Sequence, residues 1–165
     1  MATAISDFSA YSNYNVPDGS SFNVHLVVSQ WNKQITEPLS KGAYKTLLKY
    51  GVQESNIKIW NVPGSFELIY GSKKAQSYNP DVVIAIGSVI QGETKHFDFV
   101  CNAVSQGIKD LNIQSEVPVI FCVLTDNNLQ QAIDRSGGKF GNKGKEAAIA
   151  ALQIAKIGPN LINLT

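Results

Sequence analysis

The sequence predicts an α/β fold of three layers, α/β/α, in which helices flank a four-stranded parallel sheet. Four apolar, β-branched runs are spaced along the chain, and each is followed by residues with helical periodicity. The longest run, VVIAIGSVI, is apolar almost throughout, which is typical of a strand covered on both faces. At 165 residues, of which 44% are apolar, the chain has the size of one domain with its own core.

The apolar runs and the periodic stretches predict the elements in order. Strands are expected at Val24–Ser29, Ile57–Val62, Val82–Ile90 and 118–124. Helical spacing is set by Leu39, Ala43, Leu47 and Leu48 after the first strand, by Phe66, Ile69, Tyr70 and Lys73 after the second, and by Phe97, Val100, Cys101, Val104 and Ile108 after the third. A shorter fourth helix starts near Asn127, the segment SGGKFGNKG interrupts the chain, and an Ala-rich run predicts a last helix over about 145–157.

The ends of the chain differ from its body. Residues 1–22 are polar and predict an N-terminal arm or loop, residues 23–158 the domain, and residues 159–165 a tail. The start has no basic region followed by an apolar one, so we expect no secretory signal and a cytoplasmic protein. No apolar run approaches the ~20 residues of a membrane span, which argues against an integral membrane protein.

The composition argues against further classes. The net charge of +1 argues against a nucleic-acid-binding protein, because such a protein needs an excess of basic residues to neutralise phosphates. Two histidines and two cysteines, Cys101 and Cys122, form no ligand cluster, so we expect no zinc site and two reduced, buried thiols. Only 16% of residues are charged, against about 25% in an average domain. Either Ser, Asn and Gln cover the surface, or part of the surface is not exposed to solvent.

The predicted functional site lies where the strands end. In an open parallel sheet, ligands bind beyond the carboxyl ends of the strands. The loops that follow the four predicted strands there are SQWNKQ, VPGSFEL, GSVIQGETKHF and VLTDNN, and the chemically distinctive residues of the chain lie in them. We therefore expect the candidate site residues at this edge of the sheet.

The third of these loops has the richest chemistry. Gly92, Glu93 and Thr94 precede a helix, with Thr94 as a plausible N-cap, and the amides at a helix start favour a phosphate or another anion. His96 follows in the first turn, where a partly neutral imidazole can transfer protons near neutral pH. A capping or merely solvent-exposed histidine is the alternative. His25, within the first strand, is a weaker candidate.

The other loops offer binding residues, each with a structural alternative. Ser65 either caps the second helix or binds a ligand, and Glu67 is too close to it to complete a capping box, which leaves its carboxylate free for a polyol. Trp31 is either core or a platform for a planar ring, whereas Phe121, inside the fourth strand, is expected in the core. Arg135 closes the fourth helix, where it either grips a phosphate or stabilises the helix end.

Together, the segments QWN, VPGSFEL, IGSVIQGETKHFDFV, VPVIFCVLT and QAIDRSGGKFGNKGKEAA resemble the lumazine synthase family. The resemblance runs from about residue 22 to residue 157 without a large gap, and it implies a flavodoxin-like sheet. It also implies a transferase that needs no metal or organic cofactor. The substrates would be 5-amino-6-(D-ribitylamino)uracil and 3,4-dihydroxy-2-butanone 4-phosphate, and the products 6,7-dimethyl-8-ribityllumazine, phosphate and water, in the penultimate step of riboflavin biosynthesis.

The resemblance further implies a role for individual residues, with His96 as proton donor and acceptor. The pyrimidine and ribityl groups would meet Trp31, Ser65, Phe66, Glu67, Ser88, Val89, Ile90 and Phe121. The phosphate substrate would meet Glu93, Thr94 and Arg135, with Asn32, Gly92, Lys139 and Lys143 as further candidates. Glu93 stands where many members have a small residue, so its carboxylate must turn outward and leave its amide to bind. Phe121 and Arg135 would reach the site from a neighbouring subunit.

By the same resemblance the chain is a homo-oligomer with active sites between subunits. Members of the family form pentamers, and some assemble twelve pentamers into an icosahedral shell. The short segment SGGKFGNKG lacks the insertion of members that stop at pentamers, which favours the shell. The low charge content agrees, because the cores of interfaces are depleted in charged residues. Riboflavin synthase is a further candidate partner.

Two competing interpretations lack their required motifs. A flavodoxin-like electron carrier needs a Ser/Thr/Gly-rich phosphate loop after the first strand, but this chain has SQWNKQITEP. A phospho-acceptor signalling domain needs an acidic pair after the first strand and an Asp after the third, and both are absent. The glycines of SGGKFGNKG do not have the spacing of a P-loop. A non-catalytic flavin-binding or shell-forming homologue remains open.

Overall fold

The computed structural model describes residues 15–157; the first part of the predicted arm, the last residue of the predicted domain, 158, and the predicted tail, 159–165, lie outside the described residues. The strands are β1 (Val24–Ser29), β2 (Ile57–Val62), β3 (Val82–Ile90) and β4 (Val119–Asp126). They form one parallel sheet in the order β2-β1-β3-β4, which confirms the predicted fold class. β4 ends two residues later than predicted, because Thr125 and Asp126 continue the register with Val89 and Ile90.

Five helices cover the sheet in the described part of the chain. They are α1 (Lys33–Lys49), α2 (Leu68–Gln76), α3 (His96–Gln114), α4 (Leu129–Arg135) and α5 (Lys143–Ala155), and a short 3-10 helix, Glu54–Asn56, precedes β2. The glycine-rich segment that was expected only to interrupt the chain forms a small antiparallel hairpin instead, from β5 (Ser136–Gly138) and β6 (Gly141–Asn142). Helix α5 therefore begins at Lys143, two residues earlier than predicted.

The two faces of the sheet are covered unequally. Helices α1 and α5 pack on one face, where twenty buried apolar residues form the larger cluster. Helices α2 and α3 pack on the other face over a smaller cluster of ten. Alternation along β1 divides the strand between the faces: Val24, Leu26 and Val28 point to α1 and α5, whereas Val27 points to α2 and α3.

The α1–α5 contact depends on close backbone approach. A Cβ at Gly144 would collide with the carbonyl of Leu39, so only glycine fits there. Asn142 holds the contact: its side chain accepts hydrogen bonds from the amide of Gly144 at 2.9 Å and donates to the carbonyl of Pro38 at 2.9 Å and to that of Ser136 at 3.0 Å. One side chain thus joins the hairpin, α1 and α5.

Several local expectations need correction. The spacing of Phe66 and Tyr70 predicted helix α2, but both side chains are exposed, because the buried face of α2 carries Leu68, Gly71, Ser72, Ala75 and Gln76. Cys122 is buried as expected, whereas Cys101 is only partly buried on α3; both thiols are free. Residues 15–22 contain no helix or strand, yet Phe22 belongs to the larger cluster.

Candidate active site

A cavity of about 550 Å³ opens at the carboxyl ends of β1, β2 and β3. This volume lies within the range of small-molecule sites. Its lining comes from the first three of the four loops that the sequence singled out and from the start of α3. The residues that line it are Trp31, Asn32, Gly64, Ser65, Phe66, Glu67, Ser88, Val89, Ile90, Gly92, Thr94, His96, Phe97 and Val100.

The loop before α3 presents its residues to solvent at the mouth of this cavity. Gly92, Glu93, Thr94 and His96 are all exposed, and all but Glu93 line the cavity. Thr94 is not the N-cap of α3, since the helix begins only at His96 and Lys95 occupies the cap position. The Thr94 hydroxyl instead accepts a 3.4 Å hydrogen bond from the amide of His96.

His96 and His25 have opposite environments. His96 is an exposed residue in the first turn of α3, beside the cavity. His25 is buried in β1, with its ring centroid 5.7 Å from that of Trp60, and it does not line the cavity. Burial, with a smaller contribution from Lys58, lowers the pKa of His25 below its ordinary value of 6.5. Only His96 is therefore placed to exchange protons with a ligand.

The loop after β1 projects an aromatic ring into the cavity. Trp31 is 70% exposed, so it is not a core residue, and its amide donates to the Ser29 hydroxyl at 3.2 Å. Asn32 follows with a left-handed backbone, φ 56° and ψ 48°. Its side-chain amide donates to the carbonyl of Ser88 at 3.1 Å. An exposed, planar indole at the mouth of a cavity is suited to stacking on a ligand ring.

The loop after β2 contributes one buried and two exposed residues. Ser65 does not cap α2: it is buried, and its hydroxyl donates to the carbonyl of Ser88 at 3.4 Å. Phe66 and Glu67 are exposed and line the cavity. Glu67 stands at the cap position of α2 without a side-chain capping bond, so its carboxylate is available to a ligand, as the sequence suggested.

Phe121 and Arg135 are not part of the cavity lining. The expectation that Phe121 lies in the core is wrong, because β4 is an edge strand and 42% of the Phe121 side chain stays exposed on the face of α2 and α3. Arg135 ends α4, where it donates to the carbonyl of Gln131 at 3.0 Å, in keeping with the helix-end alternative. Its guanidinium carbon also lies 5.3 Å from the centre of the Phe140 ring.

The sequence did not single out Asp126, which is the anionic partner of Arg135. Oδ1 of this buried carboxylate lies 3.5 Å from Nη1 of Arg135. Burial raises the pKa of Asp126, and the positive charge of Arg135 opposes that shift. An acidic residue at the start of the loop VLTDNN was the only sequence signal that could have indicated it.

Lys139 and Lys143 also lie outside the cavity lining. The ammonium of Lys139 is 5.3 Å from the centre of the Phe140 ring, on the hairpin. Lys143 opens α5 rather than lying in the turn, and its ammonium is 2.8 Å from Oε1 of Glu146. The described residues therefore form two groups: a cavity with His96 and Trp31, and a separate cationic surface with Arg135.

No three His, Cys, Asp or Glu side chains among residues 15–157 come together as ligands for a metal ion. No helix there is both long and apolar enough to cross a membrane.

The open parallel sheet, with a small-molecule cavity at the carboxyl ends of its strands, defines an α/β protein of flavodoxin-like architecture. Its cavity combines a stacking ring, free polar groups and an exposed histidine. Residues 21–158 match the family model of 6,7-dimethyl-8-ribityllumazine synthase. The chain belongs to this family.

Curated relatives agree along nearly the whole chain. The chain is 58% identical to 6,7-dimethyl-8-ribityllumazine synthase of Christiangramia forsetii, over 95% of both chains. It is 60% identical to the protein of the same name from Flavobacterium johnsoniae, over 95% of this chain and 83% of the relative. The relative from Parabacteroides distasonis, also of that name, is 49% identical over 93% and 97% of the two chains. These matches set aside the electron carrier and the phospho-acceptor domain.

Proposed function

We propose that the chain catalyses the formation of 6,7-dimethyl-8-ribityllumazine in the cavity at the ends of β1, β2 and β3. The substrates are 5-amino-6-(D-ribitylamino)uracil and 3,4-dihydroxy-2-butanone 4-phosphate, and phosphate and water are released, as the penultimate step of riboflavin biosynthesis. The observation that carries the proposal is one cavity that holds the exposed Trp31 and His96 together with Gly92 and Thr94 of the loop before α3.

The pyrimidine substrate binds on the Trp31 side of the cavity. The indole stacks on the pyrimidine ring, and Val89 and Ile90 meet the edge of that ring at the end of β3. Phe66 covers the ribityl chain, and the free carboxylate of Glu67 accepts hydrogen bonds from its hydroxyl groups. This assignment is supported by the exposure of all three side chains that must touch the ligand: Trp31, Phe66 and Glu67.

The phosphate substrate binds at the loop before α3. The amides of Gly92 and Glu93 and the hydroxyl of Thr94 surround the phosphate, beside the positive end of the α3 dipole. The Glu93 carboxylate points away from the anion, which agrees with its absence from the cavity lining. Arg135 of a second copy completes the phosphate site; Lys139 and Lys143 are more distant contributors.

Catalysis consists of holding two substrates together and moving protons. The 5-amino group attacks the ketone carbon and a water leaves, so a carbon–nitrogen double bond forms. A proton is then removed from carbon, the electron pair moves toward the carbon that bears phosphate, and the carbon–oxygen bond to phosphate breaks. The enol that remains takes up a proton at its terminal carbon and becomes a methyl ketone, and the ribitylamino nitrogen attacks this ketone to close the second ring, with loss of another water. His96 donates and accepts these protons, and the phosphate site stabilises the leaving group. Neither a metal nor an organic cofactor is required.

The active site is shared between subunits of a pentamer. Phe121 and Arg135 lie outside the chain's own cavity, so a neighbouring copy supplies them. Helix α3 leaves two large apolar side chains uncovered: only three of its 19 residues are buried, and Phe99 and Ile113 are 70% and 74% exposed. Such exposed apolar side chains are typical of a surface that is covered in the assembly.

Twelve pentamers further assemble into a shell. The proposal is supported by the short hairpin Ser136–Asn142, which leaves no inserted loop between α4 and α5. Size-exclusion chromatography with light scattering tests it: the shell predicts a mass near sixty chains, and a mass near five chains would reject it. We further propose that the assembly is cytoplasmic and associates with riboflavin synthase.

One assay tests the proposed function against a non-catalytic homologue. The purified assembly is mixed with both substrates, and the absorbance of the lumazine product is followed. Turnover that requires both substrates supports the enzyme. A folded assembly that binds the pyrimidine substrate but forms no product would favour the flavin-binding or shell-forming homologue instead.

A further inference from the structure

Two loops of the cavity are bonded to a single oxygen atom of β3, the backbone carbonyl of Ser88. The side-chain amide of Asn32 donates to it from the loop after β1, at 3.1 Å. The hydroxyl of Ser65 donates to it from the loop after β2, at 3.4 Å. A carbonyl oxygen has two lone pairs, so these two donors satisfy it fully. Ser88 itself is buried near the end of β3, and its carbonyl is not left free for a ligand.

The backbone conformation at Asn32 is one that asparagine adopts more readily than most residues. Its φ of 56° lies in the left-handed region, which asparagine tolerates better than most other residues. Its carbonyl accepts hydrogen bonds from the amides of Ile35 and Thr36, which fixes the start of α1. Although Asn32 occupies the cap position of that helix, its side chain forms no capping bond and crosses to β3 instead.

The residue next to Asn32 is the stacking platform. Trp31 is 70% exposed, so little of its ring is fixed by neighbouring side chains. Its backbone is fixed on both sides instead: the amide of Gln30 donates to the carbonyl of Val62 at 2.8 Å, and Asn32 is bound to Ser88. The direction in which the Trp31 side chain leaves the backbone is therefore set by the loop that Asn32 holds.

We infer that Asn32 and Ser65 are positioning residues, which act through the Ser88 carbonyl to aim Trp31 and to join the loops after β1 and β2 to β3. They do not act as direct ligands of the substrate through their side chains. This inference rests on the proposed function, and it revises the family-based expectation for Asn32, for the Ser65 side chain and for the Ser88 carbonyl. The stronger, 3.1 Å bond makes Asn32 the larger contributor of the two.

The test replaces Asn32 without disturbing its backbone. Asn32→Gly removes the side chain with its donor and leaves the left-handed conformation accessible, because glycine adopts positive φ freely. Losing one hydrogen bond of this kind should raise KM for the pyrimidine substrate about 3- to 10-fold. KM for the phosphate substrate should change less than about twofold, and Ser65→Ala should give a smaller effect in the same direction.

A matched control exists elsewhere in the chain. Asn79 is the other non-glycine residue with positive φ among residues 15–157, at 50°, and it follows α2 outside the cavity lining. Asn79→Gly makes the same chemical change and should leave both KM values unaltered. Circular dichroism and melting temperature of both glycine variants separate a local effect from general destabilisation.

Fluorescence and a double-mutant cycle distinguish positioning from direct binding. In a Trp60→Phe background, Trp31 is the only tryptophan, since the chain has two. Asn32→Gly should then increase the mobility of the indole, measured as lower anisotropy without substrate. In a Trp31→Ala background, Asn32→Gly should add little to KM.

Two results would overturn the inference. One is an Asn32→Gly effect on KM that is as large without the indole as with it, which would make Asn32 a direct ligand. The other is unchanged Trp31 anisotropy in the folded variant. Because anisotropy is measured without turnover, an inactive wild-type protein would reject the proposed function while leaving the positioning role open to this test.

Discussion

The cavity around His96 and the surface around Arg135 are built in different ways. The cavity is formed by residues of one chain. Two of its loops are joined at the Ser88 carbonyl, and its ligand-facing side chains are exposed. Arg135 is instead held from several sides, by Asp126, Gln131 and Phe140, on a surface outside that cavity. In the proposed function, the first region provides stacking and proton transfer and the second a preorganised cation. We propose that a site with both is formed by two copies of the chain.

The two faces of the sheet also differ in how completely the chain itself covers them. The face under α1 and α5 is completed by the chain itself, with its larger apolar cluster. The face under α2 and α3 has half as many buried apolar residues and leaves Phe99, Ile113 and Phe121 exposed. The incomplete face carries Phe121, which we assign to the neighbouring site.

The largest expected effect is on proton transfer in the cavity. His96→Ala should lower kcat by about 10²- to 10⁴-fold, the usual contribution of general acid–base catalysis, while KM for both substrates stays within a few-fold. Steady-state kinetics with each substrate varied in turn measures both quantities. Loss of binding with unchanged kcat would contradict the role.

Arg135→Ala tests the cationic surface. It should raise KM for the phosphate substrate about 10- to 100-fold, because charge-assisted hydrogen bonds to the phosphate are lost, and should change KM for the pyrimidine substrate little. Lys41→Ala, which removes an exposed cation from α1, is the control and should have no effect. Equal weakening of both substrates would reject the assignment of Arg135 to the phosphate.

Trp31→Ala should affect the pyrimidine substrate rather than the phosphate substrate. Loss of stacking should raise KM for the pyrimidine substrate about 3- to 10-fold and leave the phosphate substrate unaffected, the reverse of the Arg135 result. Trp31→Phe retains an aromatic face and should lie close to wild type. An alanine variant whose two KM values both stay at the wild-type level would show that the indole does not contact the ring.

The second histidine should control stability rather than activity. Because the folded state lowers the pKa of His25, the unfolded chain binds the proton more readily. The free energy of unfolding should therefore fall as pH drops below about 6.5, with a slope of at most about 1.4 kcal/mol per pH unit. His25→Phe should reduce this slope and retain turnover near neutral pH, as denaturant titrations and assays across pH would measure. If the slope is unchanged in that variant, a group other than His25 causes the pH dependence of the free energy of unfolding.

Much of this architecture can be predicted from the sequence, because apolar runs define buried strands and the ends of parallel strands define the site. Three strands have their predicted bounds, and the cavity is lined from three of the predicted loops. The exposure of Phe121 could not be predicted in this way, since it depends on which strand lies at the edge of the sheet. The hydrogen-bond partner of Ser65 and Asn32 could not be predicted either, because both bond to Ser88, which is distant in sequence and comes close only in the folded sheet.

Mixing two impaired variants tests most directly whether the cavity and the cationic surface of different copies form one site. His96→Ala and Arg135→Ala chains are co-expressed in equal amounts, and the mixed assembly is assayed at low concentration of the phosphate substrate. If each site takes His96 from one chain and Arg135 from its neighbour, random mixing leaves about a quarter of the sites intact. Activity should then rise to about a quarter of wild type. Activity no higher than the mean of the two variants alone would show that both residues serve the same chain, and would contradict the shared site.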